Sequence, residues 1–244
     1  MTPLLATEHL TMRFGGVVAV DDVSFTVNAG ELRCLIGPNG AGKSTLFKCL
    51  TGQLRPSAGR ILWRGRDITG WDSFAIARLG IGIKTQVPSL FDGLSVLESV
   101  RLALRRETRE RARIQAMATL DRLGIADLAL RQVALLAHGQ RQLVEFAMVV
   151  APEPEIIILD EPTAGMSAEE TARAARLIRE LNAQHAIIVV EHDMKFIRAI
   201  AKTVTVLHQG RVLIEDDVER VLADRRVHDV YLGKAVAPQQ QVTV

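Results

Sequence analysis

Leu32-Arg33-Cys34-Leu35-Ile36 runs directly into Gly37-Pro38-Asn39-Gly40-Ala41-Gly42-Lys43-Ser44. The first five residues read as a buried strand. The next eight fit the spacing G-x-x-x-x-G-K-[S/T], and beyond them Leu46, Phe47 and Leu50 fall on one face of a helix that Gly52 ends. Strand, glycine-rich turn and helix together make an anion site: backbone N–H groups turn inward and the helix N-terminus adds its partial positive charge. In such a loop Lys43 reaches the terminal phosphates and the Ser44 hydroxyl coordinates Mg²⁺. A chance match in a chain this long is on the order of one in a hundred. The candidate nucleotide contacts are therefore Gly37, Pro38, Asn39, Gly40, Ala41, Gly42, Lys43, Ser44 and Thr45.

Upstream, Leu10 to Phe14, Val17 to Val20 and Val23 to Val27 are β-branched runs separated by turn signals, and read as short strands. From about Leu97 to Arg131 the pattern is helical and crowded with arginine (Arg101, Arg105, Arg106, Arg109, Arg111, Arg113, Arg122), with Glu98, Glu107, Glu110 and Asp121 interspersed. Mixed signs at that spacing describe a solvated face of an all-helical insert. After it, strand and helix alternate: Ile156 to Leu159, Ala168 to Leu181, Ala186 to Val190, Met194 to Ala201, Thr203 to His208, and Arg211 to Ile214 after the turn Gln209-Gly210. Alternation of this kind predicts an α/β fold, a parallel sheet covered by helices.

At 244 residues, 48% hydrophobic and 24% charged, the chain fits one large domain or two small ones, and disordered, collagen-like and coiled-coil classes are excluded. A formal net charge of +2 gives no bulk signal for nucleic acid, so any phosphate is gripped locally. Cys34 and Cys49 lie in apolar runs and read as reduced core residues. The N-terminus lacks a basic region followed by an apolar stretch, and no run approaches the roughly 20 apolar residues that cross a bilayer. The expectation is a protein neither exported nor membrane-spanning, brought to any membrane by a partner.

A second acidic locus sits far downstream. Ile156-Ile157-Ile158-Leu159 is apolar enough to be buried on both faces, and Asp160-Glu161 stand at its carboxyl end, where open α/β sheets place their ligands. Asp160 can hold Mg²⁺, and Glu161 can accept a proton from the water that attacks a γ-phosphate.

With the phosphate loop, Gln86, Leu136-Ala137-His138-Gly139-Gln140, Asp160-Glu161 and His192 in this order, the chain resembles the ATP-binding cassette ATPases that power ABC transporters. The resemblance covers nearly the whole sequence. It implies a P-loop NTPase (RecA-like) core with an N-terminal antiparallel β subdomain and an α-helical insert, in one domain over 1–244. The core would be 1–87 with 151–234, the helical subdomain 88–150, and the tail 235–244 flexible. It implies ATP and Mg²⁺, with Lys43, Gln86, Glu161 and His192 as catalytic residues and Ser44, Gln86 and Asp160 as metal contacts. Gln86 would touch Mg²⁺ or the attacking water, and His192 the γ-phosphate. Phe14 matches the aromatic that stacks on adenine; a core aromatic is the alternative at that position. Ala164-Gly165-Met166-Ser167 holds the D-loop place, which faces an opposing subunit.

The signature segment departs from the family's LSGGQ, because Ala137 stands where serine offers a hydroxyl and His138 where the first glycine sits. Gly139, Gln140 and a helix expected to begin near Arg141 still aim backbone N–H groups at an anion. Losing one hydrogen bond to a charged oxygen costs roughly 1.5–3 kcal/mol, so Ala137, His138, Gly139 and Gln140 predict a working but altered composite site, with His138 as a substitute donor. A guanine-reading Asn-Lys-x-Asp is absent from the sequence. The stretches around Gly30 to Gly37, Ala164-Gly165-Met166, Val190 to Met194 and Asp229-Val230-Tyr231-Leu232-Gly233 resemble the ATP-binding subunits of urea and branched-chain amino-acid importers; a lipopolysaccharide-type exporter ATPase shares much of that framework. The resemblance implies a second ATPase subunit (a heterodimer rather than a homodimer), two transmembrane permeases docking on the helical insert, no nucleic acid, and a peripheral position at the cytoplasmic face of the inner membrane.

Overall fold

The computed structural model describes residues 2–86 and 90–231. The expected tail, 235–244, the boundary at 87/88, and Leu232-Gly233 lie outside the described residues. An N-terminal antiparallel sheet is built from β1 (Leu5–Phe14), β2 (Val17–Val27), β4 (Ala58–Trp63) and β5 (Arg66–Asp67), in the order β2-β1-β4-β5. The second strand is continuous where two runs were expected; Asp22, at φ +56°, carries the irregularity between them.

The larger sheet has six strands: β3 (Leu32–Ile36), β6 (Ile81–Lys84), β7 (Ile156–Asp160), β8 (Ala186–Val190), β9 (Thr203–His208) and β10 (Arg211–Asp217). Their order is β10-β9-β3-β8-β7-β6, parallel throughout except for the β9–β10 hairpin. Strand periodicity divides the central residues between two cores. Ile156, Ile158, Ile188 and Val190 face α1 (Lys43–Leu50) and the small sheet. Ile157, Leu159, Ile187 and Val189 face the layer made by α3 (Val96–Ala103), α5 (His138–Val150), α6 (Ala168–Asn182) and α7 (Met194–Ile200). This is the expected α/β architecture. Cys34 and Cys49 are buried free thiols, and burial pushes both up from the ordinary cysteine range.

Between β6 and α5 the chain is helical among its described residues, with α4 (Arg109–Arg122) between α3 and α5. Arg105, Arg106, Arg109, Arg111, Arg113 and Arg122 are exposed, as a solvated face requires. Ser95 starts α3 with a reciprocal cap: its hydroxyl accepts from the Glu98 N–H, and Glu98 accepts from the Ser95 N–H.

Candidate functional site

The phosphate loop joins β3 to α1, and two of its glycines are fixed by packing. A Cβ on Gly37 would strike the Leu207 carbonyl, and one on Gly42, at φ +100°, the Ala19 carbonyl. Lys43 folds back over the loop, its Nζ donating to the carbonyls of Gly37 (2.6 Å) and Pro38 (3.0 Å). Burial draws its pKa below the usual lysine range, while Glu161, Asp160 and Glu191 oppose that shift. Ser44 is exposed on the first turn of α1 and Thr45 is half-buried beside it.

Asp160 closes β7, 8% exposed. Burial, then the neighbouring Glu161 charge, raise its pKa to about 6 against the pull of Lys48 and Lys43. Glu161 follows at φ +44°, a region costly for a residue with a side chain, held by its N–H donating 2.9 Å to the Val190 carbonyl. This twist turns the carboxylate from the strand toward two groups the chain brings from afar. Gln86 Nε2 donates to Glu161 Oε2 at 2.6 Å, and His192 Nδ1 lies 3.4 Å from Glu161 Oε1. Gln86, Glu161 and His192 thus form one cluster at the carboxyl ends of β6, β7 and β8.

Glu191 is a functional candidate that sequence reading passed over. It is 1% exposed, accepts from Thr163 Oγ1 at 2.5 Å and from the His192 N–H at 2.8 Å, and so ties the turn after β7 to the His192 backbone. Its only sequence signal is a carboxylate immediately after the apolar strand Ala186–Val190. Phe14 is 46% exposed beside the β1–β2 turn, which removes the core-aromatic alternative.

The signature segment lies differently from the sequence expectation in one respect. The helix α5 begins at His138, not near Arg141, with Ala137 as its N-cap. Methyl cannot accept the N–H bonds a serine hydroxyl would, and the compensation runs the other way, Gln140 Oε1 accepting from the Ala137 N–H at 3.0 Å. His138 Nε2 lies 3.2 Å from the Ala164 carbonyl, which it meets as a donor in the Nε2–H tautomer. Its ring therefore rests on the Ala164-Gly165 turn, just before the Ser167–Glu170 cap of α6. Among the described residues, no hydrogen bond or ion pair joins Ala137, His138, Gly139 or Gln140 to the phosphate loop of the same chain. Restoring the cap is a measurable change: Ala137→Ser should raise Tm by about 2–4 °C, since an N-cap hydroxyl contributes about 1 kcal/mol and a domain of this size shifts by that much. A thermal melt by circular dichroism checks it.

A sheet of this order, with a phosphate loop after its central strand and an acidic pair closing a neighbouring one, defines a P-loop nucleotide-binding fold. The ABC transporter family model matches residues 20–164, and the chain belongs to that family as an ATP-binding subunit. It is 38% identical over 96% of its length, and 99% of the relative's, to the high-affinity branched-chain amino acid transport ATP-binding protein LivG of Salmonella typhimurium. It is 40% identical over 92% of its length, and 82% of the relative's, to the cobalt import ATP-binding protein CbiO of Rhodobacter capsulatus. A crystal structure of an ABC transporter's ATP-binding cassette in its ADP conformation superposes with a TM-score of 0.87 at 28% identity, over 96% of this chain and 100% of that one.

Proposed function

We propose that this chain is the ATP-hydrolysing subunit of an importer for a small solute, working at the cytoplasmic face of the inner membrane through two permease partners. Hydrolysis is carried by the convergence of Gln86 and His192 on Glu161. A carboxylate with an amide donor on one oxygen and an imidazole near the other is oriented to take a proton from water on its open side. Lys43, now satisfied by loop carbonyls, would exchange them for the terminal phosphates of ATP, and the backbone of Gly37 to Thr45 would cradle the rest. His192 would then steady the charge that develops on the transferred group. Phe14, exposed beside the loop, would stack on the base.

The residues present suit a divalent cation. Ser44 is open to solvent at the helix N-terminus, and the Asp160 carboxylate carries a burial penalty that a cation would relieve. Ser44, Gln86 and Asp160 would hold Mg²⁺, which supplies neutralisation of phosphate charge when bound.

The separation of the signature segment from its own phosphate loop supports a site completed by a second ATPase subunit, with Ala137 to Gln140 facing the partner's nucleotide. A groove of about 630 Å³ between β6, the short helix α2 (Ser73–Ala77) and the helical layer is the proposed permease contact. Its rim carries Phe74, 55% exposed, with the Arg78 and Arg105 guanidinium groups stacked over its ring. No helix among the described residues is long and apolar enough to cross a membrane, so the membrane contact is assigned to this groove. The LivG relative, matched end to end, favours a branched-chain amino acid as solute; the CbiO relative favours a metal ion as second reading. Uptake of labelled leucine, urea and cobalt(II) by a deletion strain separates them.

Lys43→Ala should cut ATP turnover by about 10²–10³-fold, the usual effect of removing one donor to developing anionic charge. Hydrolysis by the purified variant at the parent's rate would overturn the proposed role of the loop. Parent turnover of GTP as fast as ATP would overturn adenine stacking on Phe14.

A further inference from the structure

Lys84 is the last residue of β6, and Glu145 lies midway along α5. Their side chains are only 1% and 8% exposed, with Lys84 Nζ 3.2 Å from Glu145 Oε2. The same ammonium sits 5.7 Å from the centroid of the Phe146 ring, and Asp160 faces it from the neighbouring strand. The pair is thus a buried charge contact between the edge of the six-stranded sheet and the helix that begins with the signature segment.

Its place in the chain is what gives it consequence. Two residues beyond Lys84 the backbone reaches Gln86, bonded to Glu161. Seven residues before Glu145 stands His138, bonded to the Ala164 carbonyl. Both members of the pair also line the groove between the sheet edge and the helical layer. A buried ion pair adds little stability over apolar residues of the same volume, because desolvation offsets the attraction. What it supplies is registry, since neither partner can slide off without becoming an unpaired buried charge.

We propose that Lys84 and Glu145 are positioning residues that lock the signature helix to the strand carrying Gln86, so that a shift of the helical layer moves the signature segment and Gln86 together. This rests on the ATPase reading above. Neither residue touches nucleotide in that scheme; both act through others.

The test compares Lys84→Met, the double variant Lys84→Met/Glu145→Leu, and Lys84→Arg, by thermal melt, affinity for a fluorescent ATP analogue, and steady-state hydrolysis. Lys84→Met should melt well below the parent. The double variant should recover the parent's Tm and analogue affinity, yet hydrolyse ATP with kcat lowered roughly tenfold or more at unchanged KM, the scale of loss when a positioned group drifts. Lys84→Arg should keep the parent's kcat. Parent-like kcat in the double variant would overturn the proposal and leave the pair a packing feature. If the double variant does not fold, amide exchange in the parent decides: ATP should slow exchange over 81–86 and 138–146 together, and independent responses overturn the lock. A parent without Lys43-dependent hydrolysis fails the ATPase reading instead, so the two failures are told apart.

Discussion

Glu161→Gln should lower ATP turnover by about 10²–10⁴-fold, the range a general base contributes, while leaving nucleotide binding intact or tighter. The glutamine side chain has nearly the same shape, and its amide oxygen can still accept from Gln86 Nε2, which now lies 2.6 Å from the carboxylate. What disappears is the capacity to take a proton. A negative charge beside Asp160 disappears as well, so the anionic nucleotide meets less repulsion. The backbone at φ +44° is retained, held by the bond to Val190. Such an arrangement costs on the order of 1–3 kcal/mol and persists where the surroundings over-determine it. ATP should therefore accumulate unhydrolysed, and a dimer closed by ATP should become long-lived. Size-exclusion chromatography with ATP, alongside a phosphate-release assay, measures both effects. Unchanged turnover would remove Glu161 from the role of base.

Local signals made much of this molecule legible, and tertiary ones hid the rest. The strand, loop and helix from Leu32 to Leu50, and the strands Ala186–Val190 and Thr203–His208, carry their own periodicity and turn residues, so sequence and structure coincide there. The strand Ile81–Lys84 has no such signal: a glycine and a lysine interrupt four residues, and only pairing with Ile156–Leu159 makes it a strand. Its lysine looks like a surface residue until Glu145, 61 positions on, is brought against it. The start of α5 was expected three residues late because alanine at the N-cap gives no capping signature. Each candidate residue at the cluster on Glu161 was readable by type and spacing, but Gln86 is 75 positions from Glu161, and their contact belongs to the fold. Glu191 went unread because its role lies in burial and in its bond to Thr163.

Asp160→Asn should stabilise the nucleotide-free chain while abolishing turnover, and the two effects share one cause. The carboxylate is buried at the end of β7, next to Glu161, and its pKa is raised to about 6 from an unperturbed 3.8. A folded-state pKa above the unfolded value means that the folded chain holds a proton which the unfolded chain has already released. The ionised group is thus unfavourable to folding above about pH 6, and that penalty fades as pH falls through the interval toward 3.8. The neutral amide removes it, so at pH 8 the variant should melt about 2–4 °C above the parent, the shift expected for roughly 1 kcal/mol in a domain of this size. The difference should shrink as the buffer is taken below pH 6, where the parent's own carboxyl becomes protonated. Lys48 and Lys43 moderate the penalty, and nearby solvent screens it, which keeps the expected gain this modest. Function runs the opposite way. The unrelieved negative charge that costs stability is what a divalent cation between Ser44 and Asp160 would need, and an amide oxygen is a much weaker ligand for Mg²⁺. Turnover should then be lost at Mg²⁺ concentrations that saturate the parent. Melts across pH 4–8 and a Mg²⁺ titration of hydrolysis read the two halves separately, and a variant less stable than the parent at pH 8 would show that the buried carboxylate is compensated by its lysines after all.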